Sequence, residues 1–142
     1  MILVVDAGVA CKWFATEVGS DAAEVLLSAG HSLLAPDLIV PEVCDIAWLK
    51  LRRGEVTAAQ AAAMVENLPG MFDALLPGAS LAPRALEIAA RLGHPAYACF
   101  YLALAERRDT RLVTADRRLV AALGGTEWAR LAVGLGDDPA AP

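Results

Sequence analysis

The chain is poor in what disulfide-built, zinc-binding and membrane proteins need. It has three cysteines, Cys11, Cys44 and Cys99, with no CxxC pair among them. An odd, scattered set suits a reducing compartment better than a disulfide framework, and all three read as small buried hydrophobes. The two histidines, His31 and His94, are far apart, and neither pairs with a cysteine at a ligand spacing, which argues against zinc. No apolar run reaches the roughly 18–20 residues that a bilayer demands, so no membrane segment is expected. There is no GxxxxGK[ST] and no GxGxxG, so nucleotide-cradling loops are excluded. Cationic residues are outnumbered 12 to 17, for a net charge of −5. Such a surface does not attract nucleic acid by itself and speaks against a general coating protein. It leaves room for an enzyme that clusters carboxylates around divalent ions, because bound ions reverse the sign locally.

What is abundant is apolar side chain: 57% of 142 residues, with a mean hydropathy of +0.49. The length is that of one domain with a sizeable core, and the surplus must be buried inside it or against another chain. The opening MILVV has no basic stretch before it and no cleavage signature after it, so it reads as a strand rather than a secretion signal, and the cytoplasm is the expected location.

Strand and helix signals alternate from there. MILVVD is a continuous apolar, β-branched run, as in a strand covered on both faces. Ser20 is placed to cap a helix running to Ala29, with Gly30 at its end. HSLLAP is a short strand, and Pro41 sits where a first-turn proline belongs in a helix that Gly54 closes. Thr57 and Gln60 form a capping box, T-x-x-Q, for a helix to about Asn67. FDALL reads as a strand, ALEIAARL as a helix stopped by Gly93, and a further helix opens at Pro95. RLVTAD is another strand, DRRLVAAL a short helix, and Arg130 to Val133 a last strand. Strands separated by helices pair in parallel under helical cover, so the class is α/β. The domain is expected to span residues 1–133, with a Gly-, Pro- and Asp-rich tail at 134–142 that frays.

In sheets of this kind, function gathers beyond the carboxyl ends of the strands. Asp6 ends the first strand and Asp116 follows the strand RLVTA. Glu42 lies in a helix's first turn, with Asp45 three residues on. Each acid alone has a structural explanation: Glu42 complements a helix dipole, and Asp116 fits a helix cap. Together they point to one site. Converging carboxylates repel one another unless cations lie between them, and oxygen-only ligands suit Mg²⁺ or Mn²⁺. Such ions activate water and stabilise charge on a phosphodiester. A receiver-type phosphoacceptor would need a second acid beside Asp6 and a late lysine, but Ala7 follows Asp6 and no lysine lies beyond Lys50. A dehalogenase-like phosphatase needs D-x-D, and the second position is Gly8.

Three blocks, VVDAGVACKWF, PEVCDIAWLKLRRGEVT and HPAYACFYLALAERRDTRLVTADRRL, resemble in order and spacing the PIN-domain ribonucleases, and more narrowly the VapC toxins of type II toxin–antitoxin pairs. The resemblance reaches to about Val133. It implies a three-layer α/β/α PIN-like fold with a central parallel sheet. It implies a Mg²⁺- or Mn²⁺-dependent endoribonuclease that forms a homodimer, and a VapB-type antitoxin that threads a segment into the acidic site, giving a heterotetramer or larger. The family's metal-binding and catalytic acids match Asp6, Glu42 and Asp116, and Thr114 matches the hydroxyl residue lining the site. The remaining family acid is the aspartate of Y-D-x-x-Y-L-A-L-A. Here that motif runs Tyr97-Ala98-Cys99-Phe100-Tyr101-Leu102-Ala103-Leu104-Ala105, so Ala98 stands where the family has its aspartate.

The vacancy has two explanations. One is a deliberate inactivating substitution, favoured because the motif around Ala98 is intact and alanine is the minimal truncation. The other is a natural non-catalytic PIN-like module that binds a protein partner. Either way one charged ligand is missing, so metal affinity and turnover are expected to fall. Lys12, Arg117 and Arg118 follow the two aspartates and are candidate RNA phosphate contacts. Lys50, Arg52 and Arg53 fit a helix C-terminus. Trp13, Phe14 and Trp48 are assigned to core or partner contact ahead of base stacking. The Ala-rich TAAQAAAMVENLPGMF offers either a surface for an antitoxin helix or a helix packed within its own domain.

Overall fold

The computed structural model describes all 142 residues. Five strands form one sheet: β1 (Ile2–Val5), β2 (Ser32–Pro36), β3 (Ala74–Leu76), β4 (Arg111–Thr114) and β5 (Ala132–Gly134). Every pairing is parallel and the order is β3-β2-β1-β4-β5. Seven helices flank it: α1 (Ala7–Cys11), α2 (Ser20–Ser28), α3 (Ile39–Arg52), α4 (Ala58–Asn67), α5 (Gly78–Leu92), α6 (Ala96–Arg107) and α7 (Arg117–Leu123), with a 3₁₀ turn at Leu68–Met71. This is the expected α/β/α architecture. No helix is long and apolar enough to cross a membrane.

The centre of the sheet is β1, whose Leu3, Val4 and Val5 have no solvent exposure. A strand buried on both faces needs apolar residues at consecutive positions, which explains why MILVV does not alternate. From β1 the chain winds outward through β2 and β3, then crosses back to lay β4 on the other side of β1. The winding therefore reverses between β1 and β4, where Val5 pairs with Val113. At such a reversal the connections leave in opposite directions and open a crevice at the carboxyl ends. Asp6 follows one of these two strands, and Asp116 lies two residues after the other.

Several boundaries differ from the sequence reading for identifiable reasons. Between Asp6 and Lys12 the chain forms α1, too short to show a period, with the Asp6 side chain capping it. Gly19, at a φ of +91°, caps α2, while the Ser20 hydroxyl reaches back to Ala15 O. α3 starts at Ile39, which makes Pro41 the third helical residue. α5 starts seven residues before the expected ALEIAARL and carries Pro83 inside it. The Asp37 carboxylate accepts from Gly78 N at 2.9 Å, so that helix start is held by a residue 41 positions away. The capping box of Thr57 and Gln60 is present as expected, with both of its hydrogen bonds.

Cys11 and Cys99 are buried, but Cys44 is exposed, against expectation. α3 turns Ile39, Val43 and Ala47 inward at four-residue spacing, which puts position 44 outside. Pairing continues past the expected boundary after Val133: β5 straddles it, and Leu135 N donates to Thr114 O at 2.7 Å.

Candidate active site

At the carboxyl ends of β1 and β4 lies a cavity of about 180 Å³ lined by Asp6, Glu42, Ala98, Tyr101, Thr114 and Asp116, with Ile46 and Leu119 as apolar wall. Five elements bring these residues together. β1 delivers Asp6, α3 Glu42, α6 both Ala98 and Tyr101, β4 Thr114, and the β4–α7 turn Asp116. Glu42 and Ile46 are four apart on α3 and share the inward face. Asp45 is three away from Glu42, lies on the exposed side and does not line the cavity. Ala98 is the third residue of α6 and is half-buried against the core.

Both aspartates begin helices. Asp6 Oδ1 accepts from Val9 N at 3.0 Å, and Asp116 Oδ1 accepts from Arg118 N at 3.0 Å and Leu119 N at 3.1 Å. Thr114 is fully buried, and its hydroxyl oxygen accepts from Asp116 N at 3.0 Å. Tyr101 donates its phenol proton to Glu42 Oε1 at 2.5 Å. Glu42 and Asp116 thus each keep one oxygen without a hydrogen bond.

The electrostatics are one-sided. No ion pair in the molecule involves Asp6, Glu42 or Asp116. Burial pushes the Asp6 carboxyl up to about 6, and the charges of Glu42 and Asp116 push the same way. The Thr114 hydroxyl and the Val9 amide oppose the shift without cancelling it. Burial also raises Glu42 above the ordinary glutamate range, against the pull of the Tyr101 hydrogen bond. A site that makes its carboxylates hard to ionise favours a cation that would relieve them. The donors are oxygens only, which fits Mg²⁺ or Mn²⁺. No three carboxylate, histidine or cysteine side chains are grouped tightly enough to cage an ion, so one held here would keep much of its water.

The expected cations fare differently. Lys12 is turned away by α1: its ammonium donates to Val18 O at 2.7 Å and to Glu17 at 3.4 Å. Arg117 is held by Asp137 at 2.7 Å and by Leu135 O at 3.1 Å. Arg118 is exposed at the next position. Neither histidine lines the cavity: His94 contacts Pro95 O and His31 lies near the N-terminal amine. Tyr101 is a site residue that the sequence reading misses, although it lies three positions after Ala98 and a helix places such pairs on one face.

Size does not select this cavity. One of about 310 Å³ lies between α2 and the C-terminal segment, but it is mainly apolar, and its one carboxylate, Asp137, is already paired with Arg117. What distinguishes the smaller cavity is that it holds Asp6 and Glu42, the carboxyls that burial raises.

Comparison with known proteins agrees with the geometry. Residues 3–123 match the family model of the PIN domain. The chain is 35% identical over 121 residues to "Ribonuclease VapC3" of Pyrobaculum aerophilum, covering 84% of this chain and 92% of that protein. The crystal structure of PAE2754 from Pyrobaculum aerophilum superposes with a TM-score of 0.63 at 23% identity, over 95% of this chain and 84% of that one, a likeness of fold. The chain therefore belongs to the PIN-domain family, among its VapC-type ribonucleases.

Proposed function

We propose that this chain is a VapC-like toxin, built as a divalent-metal-dependent endoribonuclease that hydrolyses RNA phosphodiesters and weakened or silenced by Ala98. The observation that carries the reading is the meeting of Asp6, Glu42 and Asp116, with no cation paired to any of them, around the cavity that residue 98 also lines. Asp6, Glu42 and Asp116 would hold Mg²⁺ or Mn²⁺, which when bound supplies positive charge at a phosphodiester and a more acidic water. The chain's own residues fix the geometry: the Val9, Arg118 and Leu119 amides orient the two aspartates, and Thr114 sits buried between them. Arg118 is the cation best placed for an RNA phosphate, since Lys12 and Arg117 are committed elsewhere.

A VapB-type antitoxin and a second copy of the chain are the proposed partners, in the cytoplasm. The apolar surplus supports this, with Trp48 at 52% and Leu51 at 40% exposure on α3. Ala98 itself favours a second reading, a non-catalytic module that binds its partner without cutting.

The variant Ala98→Asp separates the two. Calorimetry with Mn²⁺ is expected to show affinity rising at least about tenfold, because one charged ligand is returned. Magnesium-dependent RNA cleavage that EDTA abolishes is expected to appear with it. A variant that gains neither would sink the site assignment, and one that binds Mn²⁺ but cuts no RNA would favour the module.

A further inference from the structure

The residue that holds Glu42 in the cavity is Tyr101, and we propose that it is a positioning residue for the metal site, acting through that glutamate. The inference rests on the cation-binding reading above.

Three observations carry it. The phenol oxygen is 2.5 Å from Glu42 Oε1. Tyr101 is only 2% exposed, so the ring is fixed by packing and its hydroxyl has little water to turn to. Both residues line the cavity that contains Asp6, Ala98 and Asp116. A free glutamate side chain has three rotatable bonds, and ordering them opposes ligation. Here the ordering is done in advance by a rigid aromatic donor on a different helix. The phenol takes one lone pair of Oε1, which leaves Oε2 as the freer oxygen for a cation. Glu42 can then ligate through one oxygen, which suits an octahedral ion that keeps its waters better than a chelating grip would.

The placement also explains a pairing on α6. Residue 98 and Tyr101 are one turn apart and face the same cavity. One is where a ligand would project from the helix, and the other steadies a ligand from α3. With residue 98 reduced to a methyl group, the remaining work of α6 at this site is the hold on Glu42.

The test is a double-mutant cycle read by Mn²⁺ affinity, run on the full chain and again in the Ala98→Asp background. Tyr101→Phe keeps the ring and removes only the donor. It is expected to weaken Mn²⁺ binding on the order of tenfold, as loss of an outer partner of a ligand does. Glu42→Gln weakens it as well. Adding Tyr101→Phe to Glu42→Gln should then change the affinity by less than about twofold, because nothing is left for the phenol to act through. A merely structural tyrosine would instead lower affinity equally in both backgrounds, and that result overturns the proposal. So does an affinity unchanged or tightened in Tyr101→Phe.

Should Tyr101→Phe fail to fold, 3-fluorotyrosine incorporated in a Tyr97→Phe chain reports on position 101 alone. Its fluorine resonance is expected to move on Mg²⁺ addition and to stay still in the Glu42→Gln chain. A resonance indifferent to Mg²⁺ in the intact chain overturns the proposal. Mn²⁺ binding that ignores Tyr101 sinks this inference alone. Absence of Mn²⁺ binding in every form sinks the cation-binding reading too.

Discussion

Two clusters of acid stand at opposite ends of α1, and they are handled in opposite ways. At the C-terminal end, Glu17 accepts from Lys50 at 2.5 Å and Lys12 at 3.4 Å. Burial raises its carboxyl, but the hydrogen bond from Lys50 and the two ammonium charges outweigh that and leave it below the ordinary range. At the N-terminal end, Asp6 faces Glu42 and Asp116 with no cation, and rises to about 6. Asp6 is the more deeply buried of the two, and burial is the larger cause of its rise, but the two carboxylates differ as sharply in compensation. A carboxylate answered by a lysine holds the fold together. One left unanswered among its own kind remains available for something the chain does not itself contain.

The contrast can be broken from either side. The largest effect is expected from Lys50→Met, which leaves Glu17 half-buried with one distant partner. Unfolding in urea at pH 7 should show a loss of about 2 kcal/mol, between the values for exposed and buried pairs. Because the Glu17 carboxyl is depressed in the fold, its contribution is present above the ordinary glutamate range and is lost as pH falls. The difference between the parent chain and the variant should fade accordingly in acid.

Asp6→Asn removes a charge of the other sign and is expected to act the other way. Asparagine caps a helix as well as aspartate does, so α1 keeps its start. A carboxyl raised to about 6 from an ordinary 3.8 stabilises the fold only when protonated: fully below the ordinary value, and no longer once pH rises through 6. In EDTA at pH 7 the variant should therefore be more stable by about 1 kcal/mol, allowing for the water that still reaches the site. That advantage should vanish by about pH 4. A variant less stable than the parent chain at pH 7 would show that Asp6 is not under strain.

The smallest effect is Ala98→Asp without metal. A further uncompensated carboxylate should lower stability by on the order of 0.5 kcal/mol, visible as a melting temperature at or slightly below that of the Ala98 chain. A clear rise would mean that the cavity already holds a compensating group.

Much of the framework was legible because it is local. The β-branched run of β1, the Thr57–Gln60 capping box and the apolar β4 each carry their signal within a few residues. The start of α5 was not legible, since Asp37 caps it across 41 positions and Pro83 looks locally like a break. The meeting of Asp6, Glu42 and Asp116 at one cavity was legible because parallel α/β topology sends strand ends to one edge. The fate of Lys12 could not: adjacency to Asp6 in sequence suggested a shared mouth, but one short helix is enough to turn the ammonium toward Glu17. Tyr101 was hidden because its apolar ring fits a buried helix, and only its partner on α3 shows what the hydroxyl does.

Asp6 and Asp116 each begin a helix, so truncating either one to alanine loosens α1 or α7 by about 1 kcal/mol while it disables the cavity. Position 98 lies inside its helix and caps nothing. A chain silenced there would keep its caps, and so would escape the chaperones and proteases that clear unstable variants. On that reading it would accumulate as an active copy does, and would still present the same surface to a partner.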